Sequence, residues 1–250
     1  KVIDVNFANA SNLGGDIMSH VSAQEESMAA GSPGIMALAF AQQGENRDNF
    51  LNLSPNKGAI LYQGVPVLGN DGVVHKTDQL AIAAHCSRGD RSNDTLDKAR
   101  EHLQTAIAGF QLCKNKYPGD DVVVRSGEWG AGVFSNSRYL MLAVQVIASQ
   151  ATGVELDICN TKEFDRHLID GDKTNSEHIA QFKEKFLPDL NKVLELDLTI
   201  DEKVQAAYLL FQKGKESGLF HEEREVQDPG SKITCEKLTN DQEVGIRGKL

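Results

Sequence analysis

Two short stretches of this 250-residue chain carry residue types that can do chemistry. One is Asn12-Leu13-Gly14-Gly15-Asp16; the other is Gly127-Glu128-Trp129-Gly130-Ala131-Gly132-Val133-Phe134-Ser135-Asn136. Each is a glycine loop that follows a strand-like run and leads toward a helix-like run. Glycine-freed backbone N–H groups at such places hold phosphate without Lys or Arg. Neither stretch fits the dinucleotide pattern G-x-G-x-x-G, and neither is followed by the Gly-Lys-Ser/Thr of a P-loop. One such loop alone can be a packing device at a strand end; two on one sheet edge point to a phosphate site. A gap of seven residues, 17–23, separates the first loop from Gln24-Glu25-Glu26. On their own, adjacent carboxylates near a helix start are a solvated face favoured by the helix dipole.

Elements must position these loops. Residues 2–8 alternate and are rich in β-branched and aromatic types, which predicts a strand. Ser22 is placed to cap a helix with an acidic first turn, Gly31-Ser32-Pro33-Gly34 interrupts, and 35–43 is helical. Residues 59–74 predict a hairpin-like pair turning at Asn70-Asp71-Gly72, and the apolar run 78–87 predicts a separate buried strand. In 95–117, Leu96, Ala99, Leu103, Ala106, Ile107 and Phe110 fall at helical spacing. Strands follow at 120–127 and 153–159, and helices at 137–150 and 176–187. That alternation predicts an α/β sandwich with a mostly parallel sheet over 1–187. From Pro188 the texture changes to a C-terminal appendage, 188–250, helical first and then polar with little periodicity.

Composition narrows the function classes. Hydrophobic residues make up 40% and charged residues 25%, as in globular proteins. A net charge of −10 argues against a protein that grips nucleic acid through its phosphates. No apolar run approaches the roughly 18 residues of a membrane span. Cys86, Cys113, Cys159 and Cys235 are scattered, with no C-x-x-C pair, which suits free thiols in a reducing compartment. The expectation is a monomer in the cytoplasm, or in a host cytosol if it is a secreted effector. The opening run already reads as a strand, so earlier elements are expected to be missing from this sequence.

The segment from Asn6 to Ser27 resembles the signature of the poly(ADP-ribose) glycohydrolase branch of macrodomains. Phe7-Ala8-Asn9, Leu13-Gly14-Gly15-Asp16 and Gln24-Glu25-Glu26 occur at that family's spacing. The stretch 127–136 is similar to its W-G-C-G-A-F diphosphate loop, and 59–72 is similar to the microbial-type members. The resemblance spans about 1–187. It implies a three-layer α/β/α macrodomain sandwich, ADP-ribose and ADP-ribosylated proteins as binding partners, and neither cofactor nor metal. It also implies roles. Gly14 and Gly15 would let the backbone approach ADP-ribose, and Asn9 would contact the distal ribose. Glu26 would be the acid/base, with Glu25 helping to hold the ribose and Gln24 beside them. Gly130, Ala131, Gly132 and Val133 would wrap the diphosphate, and Phe134 would pack on the distal ribose.

That assignment is chemically coherent. Breaking a ribosyl bond at the anomeric carbon passes through an oxocarbenium-like state, and the leaving oxygen needs a proton. A carboxyl beside another carboxylate and partly buried has the raised pKa that this requires. The sequence departs from the family at Asp16, which stands at the third glycine of the triplet, and at Ala131, which replaces a Cys. Asp16 could crowd a phosphate or shape substrate choice. Trp129 and Phe134, outside their motif, would be packing residues. Tyr62 suits either adenine stacking or packing, and His20 an exposed loop.

Overall fold

A computed structural model of the chain describes residues 1–8, 28, 31–42, 58–69, 71–85, 94–131, 134, 136–159 and 175–219. Its strands are β1 (Val2–Asn6), β2 (Ala59–Leu68), β3 (Val74–Ile82), β4 (Val123–Ser126) and β5 (Glu155–Ile158), in the sheet order β2-β3-β1-β4-β5. β1 runs parallel to both β3 and β4, and β4 runs parallel to β5. Only β2 and β3 are antiparallel, as the hairpin signal around residues 70–72 predicts. The two separate strands expected across 73–87 are one. β3 is exposed where it pairs with β2 alone and buried from Asp78 onward, where β1 joins it at Gln79.

The helices are α1 (Pro33–Gln42), α2 (Leu96–Lys116), α3 (Arg138–Thr152), α4 (Asn175–Gln181), α5 (Leu187–Leu194) and α6 (Ile200–Glu216). A π-helical turn, Phe182–Phe186, joins α4 to α5. α2 starts where the Thr95 side chain accepts the Lys98 N–H, and it carries Lys114 and Lys116 in its last turn, where the dipole favours them. α3 stops at Gly153, whose φ of 67° gives the left-handed cap.

Alternation along the strands sends their side chains to two faces. Ile3, Val5, Leu80, Ile82 and Val124 pack with Phe110 of α2 and Met141, Leu142 and Ile147 of α3 in one buried cluster. Ala8 and Ala81 pack on the other face with Ile35 of α1 and Val65. Helices thus lie on both faces of a mixed, mostly parallel sheet. Among the described residues beyond 187 the chain is mainly helical, as expected, and Leu190, Val204, Ala207 and Phe211 join the larger cluster. The Phe182 and Phe186 rings lie 6.3 and 6.4 Å from Tyr139. Arg100 ties α2 to α6 by a two-pronged pair with Asp201, at 2.6 and 2.8 Å. No described helix is long and apolar enough to cross a membrane.

Toward the start of β1, the buried Asp78 carboxylate accepts from the Gly64 N–H at 2.8 Å, from the Tyr117 hydroxyl and from the Lys1 ammonium at 2.7 Å. Burial pushes this carboxyl up, but the bonds from Lys1, Tyr117 and Gly64 and the Lys1 charge together hold it below its ordinary 3.8. A depressed carboxylate contributes stability above its unfolded pKa and loses it as pH falls through the folded value. Asp78→Asn should therefore show a shallower loss of urea stability below about pH 4 than the wild type. Parallel acid profiles would remove this role from Asp78.

Candidate functional site

The connection leaving β1 runs to the β2–β3 side of the sheet, whereas β4 connects through α3 to β5 on the opposite side. β1 and β4 are adjacent and parallel, so their outgoing chains diverge at a topological switch point. In open α/β sheets, the crevice beyond the carboxyl ends of such strands is where ligands bind. The two glycine loops follow these two strands. The residues that leave the two strands lie close together: a Cβ built on Gly127 would sit 3.4 Å from the Phe7 ring and 3.4 Å from the Cys159 carbonyl.

The loop after β4 is braced on several sides. Trp129 N–H donates to the Gly127 carbonyl at 2.9 Å, and Ala131 N–H donates to the Glu128 carbonyl at 3.1 Å. Gly130 has a φ of +71°, and a Cβ there would come within 2.7 Å of Ala84 Cβ and 3.1 Å of Asn136 Nδ2. This is the position where only glycine fits without strain. Asn136 closes the turn. Its main-chain N–H donates to the Gly130 carbonyl at 3.2 Å. Its side-chain amide donates to that same carbonyl at 2.8 Å and to the His85 carbonyl at 2.7 Å.

Other groups hold the two ends of the loop. The Ser126 hydroxyl donates to Gln145 Oε1 at 2.5 Å, and the Gln145 amide donates to the Gly127 carbonyl at 3.1 Å. Glu128 and Arg138 pair across the loop at 3.3 Å, both largely buried. Ser137 at the start of α3 donates its N–H to Asp94 at 3.2 Å, and burial pushes the Asp94 carboxyl up. α3 carries no acidic residue in its first turn, so nothing on that turn opposes an anion at its N-terminus.

Of the residues the sequence singled out, Gly130 and Ala131 lie in this turn and Phe134 is half-buried beside it. Trp129 is fully buried in the core, as expected outside a stacking role. Tyr62 packs with the α1-side cluster, and burial pushes its hydroxyl pKa up. Asn9, Gly14, Gly15, Asp16, Gln24, Glu25, Glu26, Gly132 and Val133 lie outside the described residues. Sequence reasoning missed Asn136, Gln145, His85, His102 and Asp94. Asn136, Gln145 and Asp94 each bond a main-chain group 18 to 51 residues away, and His102 accepts the His85 N–H from 17 residues away, which no local pattern reveals. Only His102 left a signal, a polar side chain on the apolar stripe of α2 between Ala99 and Ala106.

No family model matches the sequence, and no curated protein matches it. Solved structures do match. The poly(ADP-ribose) glycohydrolase from Thermomonospora curvata, bound to the inhibitor ADP-HPD, aligns over 67% of this chain with a TM-score of 0.52 and 20% identity. The chain has the fold of that glycohydrolase. It spans 66% of that protein's length. A second structure of the Thermomonospora glycohydrolase gives a TM-score of 0.48 at 22% identity, covering 63% of this chain and 61% of that one. The Deinococcus radiodurans glycohydrolase in complex with ADP-ribose gives 0.49 at 18% identity, covering 67% and 70%.

Proposed function

We propose that the chain is an ADP-ribosyl glycohydrolase, which releases ADP-ribose from a modified protein or from an ADP-ribose chain. The observation that carries this reading is the placement of the two motif-bearing loops after adjacent parallel strands, β1 and β4, at the switch point of a glycohydrolase fold. In this reading the amides of Gly130, Ala131, Gly132 and Val133 wrap the diphosphate, while Gly14 and Gly15 allow close approach from the other side. Asn9 holds the distal ribose, with Phe134 packed on it. Glu26 protonates the leaving oxygen and then takes a proton from the attacking water, and Glu25 and Gln24 hold the ribose in line.

A second reading is a module that binds ADP-ribose without cleaving it. The residue that favours it is Asp16, an acidic side chain at the third glycine of the family triplet. Incubation with mono- and poly-ADP-ribosylated proteins, following free ADP-ribose, separates the two. The enzyme reading expects release that continues over many turnovers. Tight ADP-ribose binding with no release selects the second reading, and neither binding nor release removes both.

A further inference from the structure

We propose that His102, on α2, is a positioning residue for the 127–137 loop, acting through the main chain of His85. His102 is buried, with 3% of its surface exposed. Its Nε2 accepts the His85 N–H at 3.0 Å. Because Nε2 accepts, its lone pair is in use and the neutral ring carries its proton on Nδ1. Burial pushes the ring's pKa down to about 3, with the His85 and Lys98 charges adding to the effect, so the ring stays neutral. One Cα beyond this anchored N–H, the carbonyl of His85 accepts the Asn136 amide. That same amide holds the Gly130 carbonyl.

The ring reaches the loop by a second route. It meets Trp129 edge-on, with centroids 5.6 Å apart and planes 80° apart. His102 therefore supports both Trp129 and the Asn136–Gly130 closure, which are the two sides of the turn proposed to wrap a diphosphate. The His85 ring packs against the His102 ring, with centroids 5.4 Å apart, while its Nε2 pairs with Glu101 at 2.7 Å; only the main chain of His85 goes on to meet the loop, through its carbonyl.

His102→Leu removes the acceptor and keeps an apolar side chain. His102→Gln keeps an acceptor at the reach of Nε2, and His102→Asn, too short to reach it, serves as a milder loss should the Leu variant fail to fold. Hydrogen exchange of peptides covering 127–137 should rise about tenfold in the Leu and Asn variants, while α6 keeps its protection. The Gln variant should return most of that protection. The emission of Trp129, the only Trp in the chain, should shift to the red in step with exchange. Loop exchange that matches the wild type in the Leu and Asn variants would overturn the proposal. So would a rise spread equally to α6, which would mean general destabilisation.

A binding arm rests on the glycohydrolase reading. Affinity for ADP-ribose should fall about tenfold in the Leu variant, with affinity for adenosine unchanged, because only the diphosphate uses the loop. Equal loss for both ligands would count against His102. A wild-type protein that binds no ADP-ribose would instead sink the glycohydrolase reading, and the exchange arm would still decide the role of His102.

Discussion

Glu26→Gln should lower the release of ADP-ribose by about 10²- to 10⁴-fold, the usual weight of a positioned general acid/base. Gln matches Glu in size and can still hydrogen-bond a ribose hydroxyl. It can neither give the leaving oxygen a proton nor take one from water. The loss should therefore fall on kcat, with KM and ADP-ribose affinity within about threefold of wild type. The neighbouring Glu25 cannot substitute fully, because only one carboxyl of an adjacent pair can face the scissile bond. Single-turnover release measured beside calorimetric binding gives both numbers. A Glu26→Gln enzyme that turns over normally would move the acid/base elsewhere, and one that loses binding in proportion would make Glu26 a binding group.

The second large effect is expected at Gly130. At a φ of +71° any L side chain is strained, and the added methyl would meet Ala84 Cβ at 2.7 Å and Asn136 Nδ2 at 3.1 Å. Strain and overpacking each cost about 1–3 kcal/mol, so Gly130→Ala should destabilise the protein by about 2–6 kcal/mol. Gly153 provides the comparison. Its φ of +67° is similar, but a Cβ there meets nothing within 4 Å. Gly153→Ala should therefore cost only about 1 kcal/mol. Denaturant melts of the two variants separate crowding from conformational strain. Because the Gly130 methyl displaces the turn itself, ADP-ribose affinity should fall by more than about tenfold at Gly130 and stay unchanged at Gly153. Equal stability losses would mean that the loop yields freely and is not a rigid cradle.

The parts of this architecture that were legible in the sequence are local ones. The alternation of residues 2–8, the apolar stripe of α2 and the turn at residues 70–72 each report on short-range periodicity, and each element stands where that periodicity puts it. Merging two expected strands into β3 required its partners: residues Val74 to Lys76 are exposed beside β2 alone, and burial begins only where β1 adds a second neighbour. The position of Gly130, Ala131 and Phe134 after β4 was legible because a glycine loop has a sequence pattern. The adjacency of the two strands that the glycine loops follow was not, because it rests on β4 pairing with β1 rather than with β3. The bracing of the loop was also hidden. Asn136, Gln145 and His102 act on carbonyl and amide groups, and backbone atoms carry no sequence signature at a distance of 17 to 51 residues.

Asp16 is where this chain departs most from the family it resembles. If its carboxylate turns toward the ribose, it adds a hydrogen-bond acceptor there. If it turns toward the phosphates, it weakens the cradle by like-charge repulsion. Asp16→Gly distinguishes these cases by the sign of its effect on ADP-ribose affinity, a fall in the first and a rise in the second.

The most direct measurement is a crystal structure of the protein with ADP-ribose bound. Expected is a diphosphate held by main-chain amides of residues 130–133, beside the end of β4, with the distal ribose toward the end of β1. The Glu26 carboxyl should lie within about 3.5 Å of the anomeric oxygen, the reach of a group that protonates it directly. ADP-ribose bound away from the β1–β4 crevice, or a Glu26 carboxyl too far from the anomeric centre for even one bridging water, would contradict the proposed mechanism.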